Sequence, residues 1–108
     1  MPRQIDVRQL QSLREARKPL FLLDVRQPWE RERASLPGSV LVPLGELPYR
    51  LDEIEAPPEA LVVAFCHHGI RSLSAATFLE EHGHPHVVSL AGGIDAWSLH
   101  IDPSVPRY

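Results

Sequence analysis

The stretch FCHHGIRS, Phe65 to Ser72, gathers residue types suited to nucleophilic sulfur chemistry. Cys66 is the only cysteine of the chain, and His67, His68, Gly69, Ile70, Arg71 and Ser72 follow it. The apolar run LVVAF (61–65) leads straight into the cysteine, and a helical pattern starts near Arg71. The thiol therefore belongs to a tight turn between a strand and a helix. Such a turn aims several unpaired backbone N–H groups at one point, and the helix dipole adds roughly half a positive charge there. Gly69 supplies the freedom of φ that a curled loop needs, and Arg71 can add a full positive charge. All of these terms favour an anion at the loop centre and ionised over neutral sulfur, which makes a nucleophile held in a cradle of N–H donors. A lone cysteine after an apolar strand is ordinarily a small buried hydrophobe. That reading calls for apolar or indifferent neighbours, and the residues after Cys66 are neither.

The elements that must position this loop are legible around it. LFLL (20–23), VLV (40–42), LVVAF (61–65) and the weaker HVVSL (86–90) are short apolar runs without polar alternation. Such runs fit strands covered on both faces, as in a parallel sheet. Helical patterns lie between them. Val7, Leu10 and Leu13 share a face behind Asp6 as N-cap. PWERERA (28–34) opens with a proline suited to a first turn. LGELPYRLDEI (44–54) reads as a short helix disturbed by Pro48. The segment 71–82 carries a broad apolar stripe and stops at Gly83, and GGIDAWSLH (92–100) reads as a last short helix. This β-α succession predicts an α/β domain with a mostly parallel sheet. The tail 101–108 is expected to be irregular.

With 108 residues the chain is expected to form one domain, 1–108. Composition is that of a soluble globule, 44% hydrophobic and 23% charged. A net charge of −3 with scattered basic residues gives no footprint for nucleic acid. No apolar run approaches a membrane span, and MPRQIDVRQL lacks the apolar stretch of a signal peptide. One cysteine cannot form an internal disulfide, so the expected location is the cytoplasm. Nothing indicates an extensive interface, and a monomer is expected.

Four stretches resemble the single-domain rhodaneses, sulfurtransferases of the thiosulfate:cyanide type. They are LLDVRQPWE (22–30), LPGSVLVPLGEL (36–47), VVAFCHHGIRS (62–72) and VVSLAGGIDAW (87–97). With IDVRQLQSL (5–13) the likeness spans nearly the whole chain. One departure is Ser35, where members of that family often carry a histidine before the Pro-Gly turn. The resemblance implies a central five-stranded sheet with helices on both faces and the Cys66 loop at the sheet's carboxyl edge. It implies that Cys66 is the catalytic nucleophile and that His67, His68, Gly69, Ile70, Arg71 and Ser72 form the donor-binding loop. Cys66 would take the outer sulfur of a small anionic donor such as thiosulfate, carry it as a persulfide, and pass it to cyanide, a thiol or a protein acceptor. Backbone N–H groups from His67 to about Arg71 would stabilise the persulfide, with no metal or organic cofactor. Arg71 would attract the donor and orient the loop. His67 and His68 would contact donor or acceptor, part-protonation helping to draw anions, or else simply face solvent. Ser72 reads better as a helix cap than as a chemical group.

Three other activities compete. A persulfide carrier serving a partner protein would keep the same loop. A cysteine phosphatase or arsenate reductase uses the same devices but places five residues between cysteine and arginine, where this chain has four: His67, His68, Gly69 and Ile70. The tighter ring suits one sulfur atom better than a tetrahedral oxyanion, and the loop lacks an aspartate acid. Elsewhere, HGHPH (82–86) reads as an exposed turn and not a metal site. Asp24 and Arg26 read as a supporting ion pair near the pocket. Trp97 is expected in the core, Trp29 at the site's mouth or in the core, and ERER (30–33) on a solvated helix face.

Overall fold

The computed structural model describes residues 3–108. Its strands are β1 (Arg3–Ile5), β2 (Leu20–Asp24), β3 (Val40–Leu41), β4 (Leu61–Phe65) and β5 (Val87–Leu90). The α-helices are α1 (Val7–Glu15), α2 (Pro28–Arg33), α3 (Ile70–Glu81) and α4 (Gly93–His100). The strands form one sheet in the order β1-β5-β4-β2-β3, and every pairing is parallel. β4 is the central strand, so the residue that leaves its carboxyl end, Cys66, emerges in the middle of that edge.

The apolar runs are continuous because the sheet is covered on both sides. From β4, Val63 and Phe65 join Val7 and Leu10 of α1 and Ile94 and Trp97 of α4. Val62 and Ala64, and then Cys66, turn the other way to Ala75, Ala76 and Leu79 of α3, with Leu47 and Ile54 completing that layer. The period-2 alternation of a strand thus divides one apolar run between two cores. It also fixes the direction of Cys66, which points to the α3 side.

Local signals hold where expected. Asp6 caps α1 reciprocally, its carboxylate accepting from Gln9 N and its own N–H donating to the Gln9 side chain, both at 2.8 Å. Pro28 occupies the first turn of α2. Gly83 ends the run after α3 with φ +94°, and His84 N–H donates back to Leu79 O at 3.0 Å. Trp97 is in the core.

One expectation changes, and two elements go beyond what the sequence marked. β1 was not among the apolar runs: it is Arg-Gln-Ile, an edge strand with β5 as its one neighbour and two exposed side chains, so no apolar signal marks it. Residues 44–54 do not form an α-helix. They make two 3-10 segments, Leu44–Tyr49 and Leu51–Glu53, closed by i→i+3 bonds such as Arg50 N–H to Leu47 O at 3.1 Å. Pro48 has no N–H to offer an α-helical ladder. The tail beyond α4 is irregular as expected but is packed down, with Val105 in the α1–α4 core. Among the described residues no helix is long and apolar enough to cross a membrane.

Candidate active site

The Cys66 loop is shaped by α3 on one side and the β5–α4 turn on the other. Gly69 is the N-cap of α3 and takes φ +107°, a conformation that a side chain rarely adopts. That curl brings two backbone amides onto the sulfur. Gly69 N–H donates to Cys66 Sγ at 3.1 Å and Ser72 N–H at 3.4 Å. The loop's carbonyls are drawn outward by the start of α4, where Ile94 N–H donates to Cys66 O at 2.9 Å and Asp95 N–H to His67 O at 3.1 Å. The double glycine before α4 has a steric reason. Gly93 has φ +61°, and a Cβ there would be driven into the backbone of Cys66 and His67. One helix terminus thus supplies donors to the sulfur and another holds the acceptors away from it.

Ser72 is not the helix cap, since Gly69 holds that position. Its hydroxyl donates to Gly69 O at 3.2 Å, lies 3.5 Å from Sγ as acceptor for the thiol, and shares a 2.8 Å bond with the Ser89 hydroxyl. Ser89 was not singled out in the sequence, although it is the one polar residue of β5 and is fully buried. A lone polar position inside an otherwise apolar buried run was the signal that could have found it.

Arg71 does not stand free. Its guanidinium makes two bonds to Glu30, at 2.7 and 2.8 Å, across from α2. Glu30 also accepts from Gln27 N–H at 2.8 Å and from the Tyr108 hydroxyl at 3.0 Å. It is buried, so the expectation of a uniformly solvated ERER face fails at its first residue. The Arg71 bonds, set against desolvation, lower its carboxyl from 4.5 to about 2. Arg71 therefore presents an ion pair to the site in place of an isolated cation, and the pair ties the loop to α2.

Asp24 and Arg26 form the expected supporting pair. Both are fully buried, with Arg26 Nη2 to Asp24 Oδ2 at 2.7 Å and Nε to Oδ1 at 2.8 Å. Arg26 also donates to Ala34 O at 2.7 Å and to the Tyr108 hydroxyl at 3.0 Å. Trp29 is half exposed and meets the Tyr108 ring edge-on, with centroids 6.0 Å apart.

The histidines part company. His67 is stacked between His68 and Tyr108, with ring centroids 3.9 and 4.0 Å away. Burial, and then the neighbouring His68, lower its pKa, so the expected part-protonation is disfavoured at His67. Its Nε2 is buried without a hydrogen-bond partner. The His68 side chain is exposed, with Nδ1 3.9 Å from Asp95. Ile70 is 80% exposed on the outside of the loop. The histidines of 82–86 sit on the turn after α3, and among the described residues no group of side chains is arranged to hold a metal.

Cys66 itself is only 1% exposed. Burial alone would suit an inert core thiol, but the two amides aimed at Sγ do not belong to that picture. A parallel sheet, with a cysteine at the carboxyl end of its central strand and two main-chain amides on that sulfur, defines an α/β domain with its candidate site at the sheet edge. The chain belongs to the rhodanese-like domain family, whose profile matches residues 6–100.

A protein named sulfurtransferase from Allochromatium vinosum is 33% identical, covering 97% of this chain and 96% of that protein. The rhodanese-like/PpiC domain-containing protein 12, chloroplastic, of Arabidopsis thaliana is 38% identical over 96% of this chain, which spans only 36% of that longer protein. Among solved structures, a thiosulfate sulfurtransferase from Pseudomonas aeruginosa superposes with a TM-score of 0.80 at 30% identity, over 91% of this chain and 19% of that one.

Proposed function

We propose that this chain is a sulfurtransferase that moves sulfane sulfur from thiosulfate, or a donor of the same chemistry, to a thiophilic acceptor through a persulfide on Cys66. The observation that carries the reading is the pair of amides, Gly69 N–H and Ser72 N–H, directed at Sγ. Main-chain donors fixed before reaction stabilise negative sulfur without reorganising.

The Cys66 thiolate attacks the outer sulfur of thiosulfate. A new S–S bond forms to Cys66, the donor's S–S bond breaks, and its electron pair leaves with sulfite. The outer sulfur of Cys–S–S⁻ keeps the negative charge in the amide cradle. An acceptor nucleophile then attacks that outer sulfur, and the electron pair of the broken bond returns to Cys66 as thiolate. Two half-reactions joined by a covalent enzyme predict ping-pong kinetics. Arg71, held by Glu30, positions the loop, while Ser72, bonded to the Ser89 hydroxyl behind it, supplies a hydroxyl beside the sulfur. The relatives named as sulfurtransferases support the reaction class. The four-residue spacing from Cys66 to Arg71 favours sulfur over phosphoryl or arsenyl transfer.

Intact mass after thiosulfate treatment tests the proposal. A gain of one sulfur atom, ~32 Da, that cyanide removes and that Cys66→Ala abolishes is expected. The absence of an adduct with any sulfane donor would refute it. An adduct that forms readily without steady thiocyanate production would instead mark a carrier for a protein acceptor.

A further inference from the structure

Cys66 is only 1% exposed, which closes it to a thiosulfate ion, since that ion must bring its outer sulfur into contact with Sγ. Something has to withdraw. Two side chains of the loop, His67 and Arg71, are fastened to residues outside it, and Tyr108 reaches both fastenings. Its ring lies face to face on His67, with centroids 4.0 Å apart and planes 8° from parallel. Its hydroxyl donates to Glu30 Oε1 at 3.0 Å, the oxygen that receives Arg71 Nη2 at 2.8 Å. The same hydroxyl accepts from Arg26 Nη1 at 3.0 Å, so both hydroxyl roles are satisfied. One aromatic side chain thus spans the loop from its first histidine to the clamp on its arginine.

We propose that Tyr108 is a positioning residue that holds the Cys66 loop shut, and that a sulfur donor gains Cys66 when Tyr108 lifts away. Withdrawal separates the stack on His67, the edge contact with Trp29, the Arg26 guanidinium over the ring, two hydrogen bonds and the ring's packing against the α1–α4 core. The segment carrying Tyr108 has neither helix nor strand to hold it. Its other ties are Val105 in the core and an exposed Arg107–Asp95 pair, which screening makes weak. Lifting the ring uncovers His67, whose Nε2 has no partner in the closed arrangement and becomes free to meet an incoming anion. The closed arrangement shields a reactive thiol between turnovers, and only a fraction of molecules is open at any moment. Apparent donor affinity is reduced by that open fraction.

The test measures alkylation of Cys66 by iodoacetamide in the folded full chain, by intact mass over time. That readout does not depend on sulfur transfer, although the kinetic readout rests on the function proposed above. Tyr108→Phe keeps the ring stack and loses the hydroxyl, and is expected to accelerate alkylation roughly threefold to tenfold. Tyr108→Ala loses both contacts and is expected to accelerate it roughly tenfold to a hundredfold. With thiosulfate, the same variants should lower KM by a matching factor while kcat is kept, a split that general damage to the fold does not produce. The proposal is overturned if the phenylalanine variant alkylates at the parent's rate, whether or not the alanine variant folds. It is also overturned if the parent's Cys66 reacts as fast as an unprotected thiol. A loss of the persulfide adduct in every variant, with the alkylation series intact, would sink the sulfur chemistry and leave the gate standing.

Discussion

Replacing Glu30 by Gln tests whether the ion pair across α2 and α3 holds the loop. Glutamine keeps the length of the side chain and an oxygen for Gln27 N–H, but it sets an NH₂ group among the donors of Arg71 and removes the charge. The size of the effect follows from the carboxyl, which falls from 4.5 to about 2 because Arg71 bonds it. That difference corresponds to about 3 kcal/mol of folding stability at neutral pH. The Glu30 side chain is 4% exposed, so little of this is lost to solvent screening. Because the folded-state value is the lower one, the contribution is complete above the unfolded value of 4.5 and fades as pH falls through about 2. The parent should therefore exceed Glu30→Gln by about 3 kcal/mol at pH 7, about half that at pH 3, and a few tenths at pH 2. Urea unfolding of both proteins across this range measures the difference directly. A gap below about 1 kcal/mol at pH 7, or one that does not shrink between pH 5 and pH 2, would refute the clamp.

Two further substitutions probe the frame behind the loop. Gly93→Ala places a Cβ against the Cys66 and His67 carbonyls at φ +61°, and should cost more than about 3 kcal/mol or expel the loop, with faster Cys66 alkylation in the second case. Urea unfolding and the alkylation rate together distinguish a shifted loop from an undisturbed one, and no change in either would show that the α4 terminus does not shape the cradle. Asp24→Ala strands a fully buried Arg26 guanidinium, for a loss of about 3–5 kcal/mol by urea denaturation. A loss no larger than that of an exposed surface pair would contradict the burial of this pair.

The amino-acid sequence alone was sufficient to place the cysteine in the short turn between a strand and a helix. The turn from β4 into α3 spans only a few residues, so the apolar run, the glycine and the helix start together dictate where Cys66 lies, although the amides on its sulfur are those of Gly69 and Ser72 and not a run from His67 to Arg71. Unbroken apolar runs reported a sheet covered on both faces, because such a strand has no solvent side on which to place polar residues. Tertiary structure decided what fastens the loop that carries the cysteine. The Arg71–Glu30 bonds join residues 41 apart and the Tyr108–Glu30 bond residues 78 apart. Within its own helix Glu30 looks like any charged residue of a solvated face, and Tyr108 like part of an irregular tail. Periodicity reports which side of an element is apolar, but not which distant polar group that element will meet. Only the packing of α2, α3 and the tail around one sheet edge brings Glu30 to Arg71 and Tyr108 to His67 and Glu30.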